Sequence, residues 1–186
     1  GSPQIRAAGS LGGNLGTCSP AGDTLPVMFA LDAMIHLNTL DSTRVVSIHD
    51  FMTGVKRSVR QHDEIITAID FPIIRGWQGY SKVGVRNAMV ISVASACLVA
   101  DHENANVRIA LGSVGPTIIR CRDAEAWLKS TQDLSAGQSI SLDVAHEFGQ
   151  RAAAESSPID DHRSTAQYRR HAISVLASRL LRKAYQ

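Results

Sequence analysis

The sequence predicts an α+β fold in which strands come first and helices follow. Short β-prone runs succeed one another from Ile35 to Cys121, whereas helical apolar stripes dominate from Asp123 onward. No strand alternates regularly with a helix, as a doubly wound parallel sheet requires. Ala88 to Ala100 is almost wholly apolar, which marks the central strand.

Residues 1–23 are rich in Gly, Ser, Pro and Ala and read as a loop system. Residues 24–34 read as a short helix, with Thr24 as N-cap and Pro26 in the first turn, where its missing N–H costs nothing. Ile35 to Asn38 and Arg44 to Ile48 read as strands about an Asp41-Ser42 turn, and His49 to Lys56 as a short helical or looped piece. Glu64 to Phe71 is a further β-prone run, ended by Pro72. Residues 73–79 read as a connector, which divides the chain into domains 1–74 and 75–186. Beyond it, Tyr80 to Arg86, Ala88 to Ala100, Val107 to Ser113 and Thr117 to Cys121 form a meander, with the polar turn Asp101 to Asn106 inside it. Asp123 to Leu128 and Ser141 to Ala154 carry helical patterns. A last helix is expected from Arg163 to Lys183, capped by Asp160 or Asp161, with Ala172, Val175, Leu176 and Leu180 on its buried stripe.

Composition narrows the function. A formal net charge of +2 over 186 residues is too weak for a nucleic-acid binder. The basic group Arg169, Arg170, Arg179, Arg182 and Lys183 reads as a solvated helix face. Three scattered cysteines and no HExxH argue against a metal site or a disulfide framework, and no apolar run is long enough to span a membrane. A reduced, cytoplasmic setting is expected. The chain reaches a dense glycine motif within ten residues, which predicts further sequence upstream.

That motif is Gly9-Ser10-Leu11-Gly12-Gly13-Asn14-Leu15-Gly16-Thr17-Cys18-Ser19-Pro20-Ala21-Gly22-Asp23. Paired glycines let backbone approach a ligand closely, and successive amides can converge on an anion. Ser10, Asn14, Thr17 and Ser19 add uncharged donors. Asp23 repels phosphate but accepts hydrogen bonds from sugar or ribityl hydroxyls, so the stretch suits a dinucleotide better than a free phosphate. It lacks the Gly-Lys-Ser/Thr of a P-loop and the flanking strand and long helix of a Rossmann fingerprint. On composition alone, an ordinary glycine-rich surface loop is as good a reading. Cys18 inside it reads as a small buried residue. His49, His62 and His171 show no partner that would make them catalytic.

The whole stretch resembles the second FAD loop of the FAD-binding (medium) subunits of molybdenum hydroxylases, the xanthine dehydrogenase and carbon monoxide dehydrogenase family, whose pattern is close to IRNxxTIGGNxxxxxPxxD. Ser10 stands where Thr is common. The resemblance continues in order through Asp63-Glu64-Ile65-Ile66, Phe71-Pro72, Tyr80 to Val83, Arg86 to Ile91, Val107 to Thr117, and Asp161 to Arg170. Arg86 to Ser95 inclines towards the xanthine dehydrogenase branch.

The resemblance implies a vanillyl-alcohol-oxidase-type FAD-binding subdomain followed by a small C-terminal domain with a β-meander and helices. It implies FAD as cofactor, with the loop from Ser10 through Leu11, Gly12 and Gly13 to Asn14 around the diphosphate and Asp23 near ribityl or ribose hydroxyls. Ile66 and Lys82 would line the flavin, where a lysine raises its potential by favouring the reduced anion. Without the family, Lys82 would read as an exposed strand lysine and Ile66 as core. Implied partners are a molybdopterin-binding large subunit, an iron–sulfur small subunit, and NAD or another electron acceptor. The family's earlier glycine-rich FAD loop is absent here. The rival readings are therefore a truncated, flavin-free structural fragment that docks partner subunits, and a stand-alone flavin oxidoreductase of the same fold.

Overall fold

The computed structural model describes residues 2–87 and 90–186. The chain opens with α1 (Pro3–Ala8), α2 (Leu11–Thr17) and α3 (Leu25–Ala30). Strands β1 (Met34–Asn38) and β2 (Thr43–Ser47) follow, then α4 (Ile48–Phe51), β3 (Met52–Gly54), β4 (Arg57–Ser58) and β5 (Ile65–Asp70). The second half holds β6 (Gly76–Val83), β7 (Ala94–Asp101), β8 (Asn106–Gly112) and β9 (Ile119–Arg120). It ends with α5 (Arg122–Thr131), α6 (Leu142–Ala154) and α7 (Ala166–Ala184).

Among the described residues three antiparallel sheets form, ordered β2-β1-β5, β3-β4 and β6-β7-β8-β9. The last organises the molecule. Every residue of β7 is buried, because both faces of its sheet are covered. Ala94, Ala96, Leu98 and Ala100 face a core shared with α5, α6 and α7. Cys97 and Val99 face the opposite core, built with Leu25, Met28 and Phe29. The two-residue period of a strand assigns alternate side chains to the two cores, and this explains the continuous apolar run.

Several expectations are corrected. Residues 1–23 are not all loop. Ser2 caps α1 by accepting from the Ile5 amide at 3.3 Å, and Ser10 caps α2 by accepting from the Gly13 amide at 3.0 Å. Glycines disfavour α2 by about 1 kcal/mol each relative to Ala, but Leu15 is fully buried and anchors it. The expected connector at 73–79 is shorter, because β6 begins at Gly76. A Cβ there would stand 2.0 Å from the Ala100 carbonyl oxygen, so this glycine admits close pairing with β7. Of the strand expected over 88–100, Ala88 and Met89 lie outside the described residues, and β7 starts only at Ala94. The last helix begins at Ala166 with Thr165 as its cap. Asp160 accepts from the Ala166 amide at 2.5 Å, whereas Asp161 turns to the Arg163 and Ser164 amides and to Arg169. Arg169 is 4% exposed and so leaves the solvated face expected for it.

Candidate functional site

The glycine motif becomes a helical partition. The amides of Leu11 and Gly12 precede the first intrahelical bond, from the Asn14 amide to the Ser10 carbonyl, and have no helical partner. The Gly13 amide is taken by Ser10 Oγ. The donors are thus a helix's first turn rather than a free loop nest, because the Ser10 cap draws the segment into helical pitch. At Gly12 a Cβ would meet nothing within 4 Å, so the backbone is open to close approach there.

One side of α2 borders a cavity of about 860 Å³. Ser10, Leu11, Gly13, Asn14, Thr17 and Asp23 line it, together with Arg6 and Arg86. Asn14 Oδ1 accepts from the Thr24 amide at 3.3 Å and from the Thr24 hydroxyl at 2.5 Å. With its oxygen committed to Thr24, what Asn14 has left to offer a ligand in the cavity it lines is its NH2 group. This also explains why Thr24, at the N-cap position of α3, makes no side-chain cap. Thr17 donates to the Gly13 carbonyl at 2.8 Å.

The other side of α2 borders an open groove of about 520 Å³, where Gly12 and Ile66 lie with Ser10, Gly13 and Thr17. Ser19 and Lys82 border neither space. Ser19 Oγ accepts from the Ala21 amide at 3.3 Å. Lys82 supports the cavity from behind, donating to Asp23 Oδ2 at 2.5 Å and to the Val90 carbonyl at 3.2 Å.

Asp23 is the best-held group of the cavity wall. Its Oδ1 accepts from the Tyr80 hydroxyl and from the Ser92 hydroxyl, each at 3.0 Å. Burial opposes its ionisation, but the bonds from Lys82, Ser92 and Tyr80 outweigh burial and hold the carboxyl below its usual range. Burial and the neighbouring Asp23 charge push the Tyr80 phenol up, so it stays a donor. Sequence reasoning missed Tyr80, Ser92, Arg6 and Arg86 as members of this site. All four sat in segments that carry the family resemblance, yet only tertiary contact shows what they face.

A glycine first turn, uncharged donors, cations and a fixed carboxylate around one cavity make a wall able to receive a nucleotide cofactor. The donor set fits FAD: amides and hydroxyls suit a diphosphate, and a carboxylate acceptor suits a polyol.

The class follows from comparison. The model of the FAD binding domain in molybdopterin dehydrogenase matches residues 1–74, and that of the CO dehydrogenase flavoprotein C-terminal domain matches residues 80–184. The chain belongs to the family of FAD-binding (medium) subunits of molybdenum hydroxylases, and FAD is the family's cofactor. It is 27% identical over 186 residues to the glyceraldehyde dehydrogenase medium chain of Sulfolobus acidocaldarius, covering 98% of this chain and 64% of the relative. It is 26% identical over 188 residues to a putative xanthine dehydrogenase FAD-binding subunit of Escherichia coli, covering 98% and 62% respectively. The reconstituted CO dehydrogenase from Oligotropha carboxidovorans superposes with a TM-score of 0.85 at 26% identity, over 98% of this chain and 63% of that one. The chain therefore spans less than two thirds of the length of these relatives. Among the described residues, no helix is long and apolar enough to cross a membrane.

Proposed function

We propose that the chain is the FAD-holding part of the flavin subunit of a xanthine dehydrogenase-like molybdenum hydroxylase in the cytoplasm. Residues 1–74 serve as the second subdomain of its FAD-binding domain, and 75–186 as its C-terminal domain. The observation that carries this reading is the single cavity on which the first turn of α2, Asn14 and Asp23 converge.

The Leu11 and Gly12 amides, the Ser10 hydroxyl and the Asn14 NH2 group hold the diphosphate as donors, while Gly13 and Thr17 shape the same wall, the Gly13 amide being committed to Ser10 Oγ and the Thr17 hydroxyl to the Gly13 carbonyl. Arg6 and Arg86 add positive charge to that wall. Asp23 accepts from a hydroxyl of the ribityl or ribose chain. Ser19 shapes the turn leading to Asp23. Ile66 supplies apolar contact from the groove, and Lys82 keeps Asp23 charged while its own charge is balanced by it. FAD held by these residues would supply reversible redox chemistry between molybdopterin and iron–sulfur partner subunits and an acceptor such as NAD. The chain needs no acid or base of its own for this; its work is to bind and orient.

FAD titration tests the reading, followed by flavin fluorescence on this chain and on a version extended upstream. Saturable binding at one FAD per chain in either is expected, weakened by Asp23→Asn. A folded protein that binds no FAD in either form overturns it in favour of the flavin-free docking fragment.

A further inference from the structure

The carboxylate of Asp23 has more partners than an ion pair requires. A carboxylate offers about four acceptor positions, two on each oxygen. On Oδ1 both are filled, by the Tyr80 and Ser92 hydroxyls. On Oδ2 one is filled, by Lys82. Lys82 alone is a point charge on a flexible stem and leaves the carboxylate plane free to turn about it. Two hydroxyls on the other oxygen fix that plane, and among the described residues one acceptor position remains, on Oδ2.

Both hydroxyls are themselves held by the fold. Tyr80 lies in β6 opposite Cys97 of β7. Ser92 is 2% exposed, and the residue after it is secured twice: Val93 donates to the Val83 carbonyl at 2.8 Å and accepts from Arg169 at 2.8 Å. The same Arg169 grips the Ser113 carbonyl at 2.9 Å, and the Ser113 amide donates to the Pro20 carbonyl at 2.8 Å, three residues before Asp23. The C-terminal helix thus secures both the residue next to Ser92 and the turn that carries Asp23.

From this geometry we infer that Tyr80 and Ser92 are positioning residues for the cofactor, holding Asp23 so that the last acceptor position of Oδ2 receives one hydroxyl of the bound dinucleotide. The inference rests on the proposed FAD site. It adds that affinity depends on two side chains that act through Asp23. The charged and titratable groups around Asp23 are Lys82 and Tyr80 from β6, with Arg6 and Arg86 on the cavity wall. Removing either hydroxyl weakens the set that holds Asp23 ionised, so acid loss of FAD binding moves to higher pH.

The test is FAD affinity of the full chain against pH for wild type, Tyr80→Phe, Ser92→Ala, the double variant and Asp23→Asn, with circular dichroism confirming the fold. Tyr80→Phe keeps the ring and guards against loss of packing. Each single variant is expected to weaken FAD binding about threefold to tenfold, the worth of one hydrogen bond, and to shift the acid limb upward. Asp23→Asn is expected to remove the acid limb and to abolish the effect of the other two. Wild-type affinity and pH profile in the double variant overturns the inference while the FAD site stands. Additive losses in the Asp23→Asn background also overturn it, since the hydroxyls would then act independently of Asp23. Absence of FAD binding in wild type, in this chain and in the version extended upstream alike, overturns site and inference together.

Discussion

At the residue scale, Arg169 is a buried charge held by three hydrogen bonds at its two terminal nitrogens, while its Nε is buried and finds no partner among the described residues. The Arg169 guanidinium donates to the Val93 and Ser113 carbonyls and to Asp161 Oδ1 at 2.7 Å. Arg169→Met removes all three bonds, leaves the Val93 and Ser113 carbonyls without this donor, and leaves Asp161 with only the Arg163 and Ser164 amides and the more distant Arg163 charge. Because Asp161 is partly open to solvent and keeps its amide donors, the loss is that of the hydrogen bonds, about 2–3 kcal/mol, and urea denaturation is expected to show it. A change under about 1 kcal/mol would mean that Asp161 and the carbonyls find water instead. This residue was legible only in part. Asp161, Tyr168 and Arg169 stood in a motif shared with the family, but the helical stripe does not say which arginine points inward. His49 is similar: its partner Asp32, 2.7 Å away, lies seventeen residues earlier and is not evident from the sequence.

At the scale of the element, α2 shows how weak propensity is overridden. Three glycines within seven residues read as loop, yet the Ser10 cap and the buried Leu15 hold a helix. Ser10→Ala removes the acceptor of the Gly13 amide and is expected to cost about 1 kcal/mol, within the usual range for a lost N-cap. Because the same turn borders the cavity, FAD affinity should fall with it. Thermal melting together with FAD titration checks both, and unchanged values in both would show that the cap does not hold this turn. The strands were far more legible, since β1, β2, β5 and β8 fall within a residue or two of the expected runs. Alternation and turn residues are local signals. The start of β6 is not, because Gly76 reads as linker until the Ala100 carbonyl is seen beside it.

Across the whole molecule, one ion cluster ties the early helices to the later sheet. Asp32, between α3 and β1, meets His49 from α4, Arg120 from β9 at 2.6 Å and Arg108 from β8 at 3.5 Å. Burial opposes its ionisation, but His49, Arg120 and Arg108 outweigh it and bring the carboxyl from 3.8 to about 2. A depressed folded-state value contributes stability above the unfolded-state value, and that contribution is lost as pH falls through the folded one. Acid titration followed by circular dichroism should therefore show stability falling between 3.8 and about 2. Asp32→Asn should be less stable at neutral pH and flatter across that window. Asp32 is partly open to solvent, so the difference is expected to be modest, about 1 kcal/mol or less. An identical acid limb in the variant would show that this cluster does not link the two cores.

The sequence by itself determined the α+β class, most strands, the meander, the terminal helix and membership of a flavoprotein family. These depend on periodicity, turn chemistry and collinear motifs, all of which are local or ordered along the chain. Only the tertiary structure decided which side of α2 each donor faces, that Asp23 is held by Tyr80, Ser92 and Lys82, and that Arg169 is internal. Those facts join residues up to 76 positions apart. Spacing along a chain carries no information on which of two faces a distant side chain will meet, because packing of the shared sheet settles that choice.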